Sequence, residues 1–158
     1  MLGYMLTTIA ETNGTDWVIR TAGTHVAEGT AMSSRTRDAL RRIPELGDHN
    51  YGAHRGHQLT RDDVEWSDVI LASEALHVAF VRRHYPEAAA KSVSFGQFIR
   101  DAPLDEPFVD QVSFISTQVP DDAFDVDDPA GHDQLAYDQC ARTLWDMAQV
   151  FGALVDQP

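Results

Sequence analysis

Apolar positions recur along this chain in two alternating spacings. Over residues 1–14, Met1, Leu2, Met5, Leu6, Ile9 and Ala10 fall one helical turn apart on a single face. That spacing predicts a helix laid on a core, with Gly14 placed to end it. No Ser, Thr, Asp or Asn precedes the face to cap its free amides. Trp17 to Arg20 is a short apolar run suited to a buried strand, and Gly23 marks a turn after it. Ser33 or Ser34 is placed to cap a helix reaching Ile43, where Pro44 and Gly47 break the pattern. Thr60 heads a short helical turn with Asp62 and Asp63 in its acidic first turn, and Val69 to Ala72 predicts a second buried strand.

Ser73 is expected to cap a helix over 74–84 that Pro86 stops, and 92–95 is a third strand candidate, short and half polar. The stretch 101–128 is rich in acids and proline, which predicts a long irregular surface loop. From Asp133 onward Tyr137, Cys140, Leu144, Met147, Phe151 and Leu154 recur at three and four residues, the pattern of a long amphipathic closing helix. Strand and helix alternate, so the expected fold is α/β, an open parallel sheet with helices on both faces. In such sheets ligands bind where strand ends meet helix starts, and anions favour the helix that follows the first strand. Here the order starts with a helix, so the first strand is expected to be missing.

Length and charge narrow the function. The 158 residues fit one domain, 1–158, with a single core. A net charge of −13 with a single lysine repels nucleic acid and anionic membrane, so neither is an expected partner. No apolar run is long enough to span a bilayer and no signal peptide opens the chain, which predicts a soluble cytoplasmic protein. One cysteine excludes an internal disulfide framework.

Few residues invite chemistry on their own. Cys140, the lone thiol, lies on the closing helix stripe without a Gly-rich loop or a following Arg, and reads as core. His54 and His57 have no second pair at ligand spacing, so they read as a solvated or loop-bracing pair and no metal is implied. Arg55 reads as a surface charge and Tyr137 as packing. Asp125, Asp127 and Asp128 cluster ahead of Pro129, where Asp-Pro is a common turn pair.

Four segments taken together resemble the low-molecular-weight protein tyrosine phosphatases. "TAGTHVAEGTAMSSRTRDAL" is similar to that family's Ser-Ala-Gly-Thr turn and following helix, and "HRGHQLT" to its His-Arg-x-x-Gln-Leu-Thr segment. "DVILASEALHVAFVRRHYP" resembles its third strand and helix, and "DDPAGHDQLAY" the bacterial members' Asp-Pro-x-Gly with Tyr nine residues after the Asp. The likeness runs over nearly all of the chain. Departures are Thr21 where Ser is usual, Ala130 where many members carry an aromatic, and a longer acidic region before Asp127.

The resemblance implies the family's chemistry for phosphate monoesters: a Cys nucleophile, an anion-binding loop with Arg, and an Asp general acid. It implies Asp128 as that acid, with Asp127 one register away and Asp125 a further competitor. In the family a strand and a Cys-x5-Arg-Ser-Pro loop precede the first helix, and "MLGYML" aligns just after that Pro. The chain is therefore expected to be N-terminally truncated and inactive as these 158 residues. The implied partner of an active full-length form is a phosphorylated protein or small phosphoester, with no cofactor. Phosphotyrosine, phosphoarginine and small-molecule substrates are not separated, and oligomeric state is not read. A non-catalytic binding or regulatory module is the alternative. An arsenate reductase ranks third, since that chemistry uses additional cysteines.

Overall fold

The computed structural model describes residues 1–155. In chain order the elements are α1 Leu2–Asn13, α2 Ser34–Arg41, α3 Arg61–Trp66, β1 Ile70–Ala72, α4 Ala75–His84, β2 Ser92–Ser94, α5 Phe95–Asp101, α6 Phe108–Ser116 and α7 Gln134–Val155. Single 3-10 turns occur at Pro44–Leu46, Tyr51–Ala53, Pro86–Lys91 and Asp122–Phe124. Contacts gather these into two compact units, one made of Met1–Gln58 and the segment from Asp127 onward, the other of Leu59–Val126.

In the first unit α7 packs on α1 and α2. Met5, Leu6, Ile9 and Ala10 of α1 are buried, as their spacing predicts, and Gly14 ends that helix in the left-handed region at φ 69°. Ser33 caps α2 by accepting the Thr36 N–H at 3.0 Å. Along α7 the buried face runs through Tyr137, Ala141, Leu144, Trp145, Ala148 and Phe151. Of the predicted stripe, Cys140, Met147 and Leu154 are only half-buried. The core face is rotated toward the small residues Ala141 and Ala148, which let helices approach closely.

The strand expected at Trp17 to Arg20 is not formed: no ladder is assigned there among the described residues. A strand buried on both faces needs neighbours on its edges. Without them the segment is extended with alternating exposure, Val18 standing 73% exposed while Trp17 packs edge-on against Phe151, ring centroids 5.8 Å apart.

The second unit is built on a two-stranded parallel sheet with Ile70 opposite Ser92, Leu71 opposite Val93 and Ala72 opposite Ser94. A parallel pair needs a long crossover, and α4 with the 86–91 turn supplies it. The half-polar strand candidate is the most buried strand, because its serines find local partners. Ser92 Oγ donates to the Ala88 carbonyl at 2.7 Å, and Ser94 Oγ accepts the Gln97 N–H to cap α5. Thr60 and Asp63 form a full capping box at the start of α3, each side chain serving the other's backbone amide. At the far end of α3, Lys91 Nζ donates to the Val64 carbonyl at 2.7 Å and to the Ser67 carbonyl.

Two further expectations are corrected. Ser73 does not cap α4: Glu74 holds the N-cap position without a side-chain bond, and Asp125 Oδ1 accepts the Ala75 N–H at 2.6 Å. The stretch 101–128 is not one irregular loop, since it contains α6, whose Val112 and Ile115 are buried in the core. Phe108, Val112 and Ile115 are spaced four and three apart, an apolar face that the surrounding acids and prolines obscure.

Gly96 in α5 lies against the Phe124 backbone carbonyl, where a side chain would overlap the oxygen. Because that oxygen belongs to backbone, Gly96→Ala is expected to lower unfolding stability by about 1–3 kcal/mol, read by urea denaturation. An unchanged midpoint would contradict this packing. Lys91→Met takes the lysine donor from the Ser67 carbonyl, while the Val64 carbonyl keeps Ser67 Oγ at 3.1 Å, and is expected to cost about 1 kcal/mol in the same assay.

Candidate active site

The turn Asp128-Pro129-Ala130-Gly131 leads into α7 and is held by its own side chains and backbone. Asp128 Oδ1 accepts the Ala130 N–H at 3.0 Å, the His132 N–H donates to the Pro129 carbonyl at 3.0 Å, and Asp133 Oδ1 accepts the Ala136 N–H at 3.1 Å. Gly131 takes φ +83°, a conformation that favours glycine. The bend is therefore dictated locally. Asp128 is exposed, and one of its carboxylate oxygens makes the turn bond while Oδ2 has no hydrogen bond among the described residues. The turn role and an acid role are compatible in this geometry.

Its two neighbours behave differently. Asp125 is committed to the α4 amino end through the Ala75 N–H. Asp127 is exposed, and its carboxylate has no hydrogen bond among the described residues.

Cys140 is half-buried on α7. Burial pushes its thiol up, the Met1 amino group opposes this, and the carboxylates of Asp128 and then Asp127 push it further up. Asp127, Asp128, Cys140 and the first residue of α1's cap thus share one electrostatic neighbourhood. A phosphate-attacking cysteine needs the opposite surroundings, amide N–H groups or cations that hold the thiolate. These surroundings are not those of a nucleophile, and Cys140 is half-buried rather than the buried core residue that its place on the apolar stripe predicts.

His54 lies beside Tyr4, ring centroids 6.0 Å apart, and burial, then the Met1 amino group, then Arg55 lower its basicity. His57 Nδ1 meets Glu28 Oε1 at 3.2 Å, and Glu28 Oε2 accepts the Gln58 N–H at 2.8 Å, so His57 braces a loop while His54 only packs beside Tyr4. Arg55 is exposed and Nη1 donates to the carbonyls of Gly52 at 2.8 Å and His54 at 2.7 Å. Tyr137 is buried in the α7 core. Among the described residues no three metal-ligating side chains come together.

Two features escaped the sequence reading. Gln58 holds the 24–26 loop from both sides, Oε1 accepting the Val26 N–H at 3.0 Å and Nε2 donating to the Thr24 carbonyl at 2.9 Å. Tyr4, His49 and Tyr51 form a ring cluster, with Tyr4 and Tyr51 edge-on at 4.9 Å and His49 Nε2 bonded to Thr8 Oγ1 at 2.9 Å. Residues 49–54 carry no helical or alternating period, so nothing in the pattern announced the cluster.

No sequence-family model matches the chain. A protein-arginine-phosphatase of Geobacillus stearothermophilus is 29% identical over 92 residues, which span 57% of this chain and 59% of that relative. The match thus takes in about three fifths of the curated relative's length. Among solved structures, a low molecular weight protein tyrosine phosphatase from T. tengcongensis superposes with TM-score 0.73 at 21% identity, covering 95% of this chain and 86% of that one. The YwlE arginine phosphatase from Geobacillus stearothermophilus superposes with TM-score 0.69 at 22% identity, covering 96% and 82%. The fold is that of these α/β proteins, and the curated and structural neighbours point to the low molecular weight protein tyrosine phosphatases of bacteria.

The raised thiol of Cys140 sets a test of its surroundings. Alkylation by iodoacetamide, followed against pH, is expected to rise to its midpoint above that of free cysteine, because only the thiolate reacts. A midpoint at or below the free value would mean that the carboxylates and burial do not govern this sulfur.

Proposed function

We propose that this chain carries the acid half of a phosphoric monoester hydrolase of the low molecular weight phosphatase type, with Asp128 as the general acid. The observation that supports this is the rigid Asp128-Pro129-Ala130-Gly131 turn, which presents an exposed carboxylate with one oxygen uncommitted. In the reaction the ester P–O bond breaks, the leaving oxygen takes the carboxyl proton, and a thiolate receives the phosphoryl group until water displaces it. Asp125 is occupied at a helix end, and Asp127 lies outside the turn bond, which leaves Asp128 as the acid the geometry favours.

The other half has no representative within the 158 residues. They contain no Cys-x5-Arg segment, and the lone thiol is held neutral. Losing a single transition-state donor costs a reaction about a hundredfold or more, and here both the attacking group and the anion cradle are without a supplier. By themselves residues 1–158 are therefore inactive. The substrate class is a phosphorylated protein or small phosphoester. Ala130 provides no ring to stack on a phenyl group, and the similarity to a protein-arginine-phosphatase favours phosphoarginine over phosphotyrosine. The absence of a Cys-x5-Arg segment from these residues favours one second reading, a non-catalytic binding module on the same fold.

Two measurements separate these readings. Purified residues 1–158 are expected to release no p-nitrophenol from p-nitrophenyl phosphate above buffer, and a normal turnover rate would overturn the proposal. The second measurement uses a variant in which a strand and a Cys-x5-Arg loop are joined ahead of Met1, which is expected to release p-nitrophenol from the same substrate. In the form that includes them, Asp128→Asn should cut kcat on a poor leaving group such as phenyl phosphate by about a hundredfold, while Asp127→Asn should change it little. No turnover by that folded variant would leave the binding-module reading.

A further inference from the structure

The Leu59–Val126 unit carries an open groove of about 750 Å³ between the first turn of α4 and the segment that follows α6. Its floor is apolar, formed by Leu76, Ala79, Val119 and Pro120. Leu76 is 58% exposed and Val119 84% exposed, an uncommon placement for two aliphatic side chains that line one groove. Its rim is acidic: Asp121, Asp122 and Asp125 line one side, and no lysine or arginine lines any part of it. Arg100 reaches Asp121 at 3.8 Å from a position that does not line the groove. Asp122 and Asp125 have no ion pair among the described residues.

The wall formed by residues 118–125 is anchored at both ends. Gln97, buried in α5, donates from Nε2 to Gln118 Oε1 at 2.8 Å and to the Val119 carbonyl at 3.3 Å, and its Oε1 accepts the Asp121 N–H at 3.3 Å. Asp125 ties the other end of the same segment to the Ala75 N–H at 2.6 Å. A groove held in this way loses little freedom on binding, which favours a ligand that uses it as it stands.

We propose that this groove docks a segment of a partner protein that presents aliphatic side chains flanked by arginine or lysine. The aliphatic groups cover Leu76 and Val119, and the cations meet Asp121 and Asp122 at the rim. Apolar contact sets the residence of the segment, whereas the charges set its orientation and rate of arrival. The proposal is independent of the catalytic reading, because it concerns binding alone.

The test uses the full 158-residue chain and two fluorescein-labelled peptides of equal charge, Gly-Arg-Leu-Arg-Leu-Arg-Gly and Gly-Arg-Ser-Arg-Ser-Arg-Gly, titrated by anisotropy. The leucine peptide is expected to bind about tenfold tighter than the serine peptide at 0.15 M salt, roughly the condition at which distant charges are screened. Leu76→Ser with Val119→Ser should abolish that difference. Asp121→Asn with Asp122→Asn should weaken the leucine peptide severalfold and flatten its salt dependence, while Glu11→Gln with Asp16→Asn, which do not line the groove, should leave it unchanged. Equal binding of the two peptides, no binding of either, or indifference to the Leu76 and Val119 changes in folded variants would overturn the proposal and leave only attraction to a net charge of −13.

Discussion

A sheet of two three-residue strands offers few ladder bonds, so the backbone of this protein depends on side chains to satisfy groups that a larger sheet would pair. The same device recurs at each irregular junction. Arg82 donates to the carbonyls of Gln118 and Ser92, Lys91 to those of Val64 and Ser67, and Gln97 serves both an acceptor and a donor in 118–121. In the other unit Gln58 and Glu28 do the same for the 24–28 loop. Arg82, Lys91, Gln97 and Gln58 each bond two backbone groups, and each is partly or wholly withdrawn from water, where an unmet polar group costs most.

That dependence sorts the acids. Asp125, Asp127 and Asp128 stand within four residues and look alike in sequence, yet their environments differ entirely. Asp125 is consumed by the amino end of α4, where a carboxylate is favoured by both the free N–H and the helix dipole. Asp128 is held by a turn bond that engages one oxygen and leaves the other. Asp127 has neither constraint and acts on the rest of the molecule only through its charge, which with that of Asp128 reaches Cys140.

The electrostatics of that corner explain why a lone thiol is not a nucleophile by default. A chain with net charge −13 surrounds most of its surface with negative potential, and Cys140 faces two of the contributing carboxylates. Both terms, like burial, favour the neutral thiol. Phosphate chemistry on this scaffold requires a local concentration of amide donors and arginine strong enough to reverse that field, and four of the arginines are engaged with carboxylates elsewhere: Arg42 on Asp138, Arg61 on Glu87, Arg142 on Glu45 and Arg100 on Asp101.

The sequence alone settled whatever depends on near neighbours in the chain. The apolar spacing of 1–14, the Gly14 stop, the Thr60 cap with its acidic first turn and the Asp-Pro turn ahead of α7 are all local, and each has the geometry its residues predict. Tertiary structure decided the rest, because long-range partners carry no local period. Trp17–Arg20 has strand composition but no edge to pair with, α6 is made helical by an apolar face that its acids conceal, and α4 is capped by an aspartate fifty residues downstream of Ala75. Of the three neighbouring aspartates, the fold commits Asp125 to a helix end and leaves the Asp127 and Asp128 carboxylates exposed, a difference that no local pattern announces.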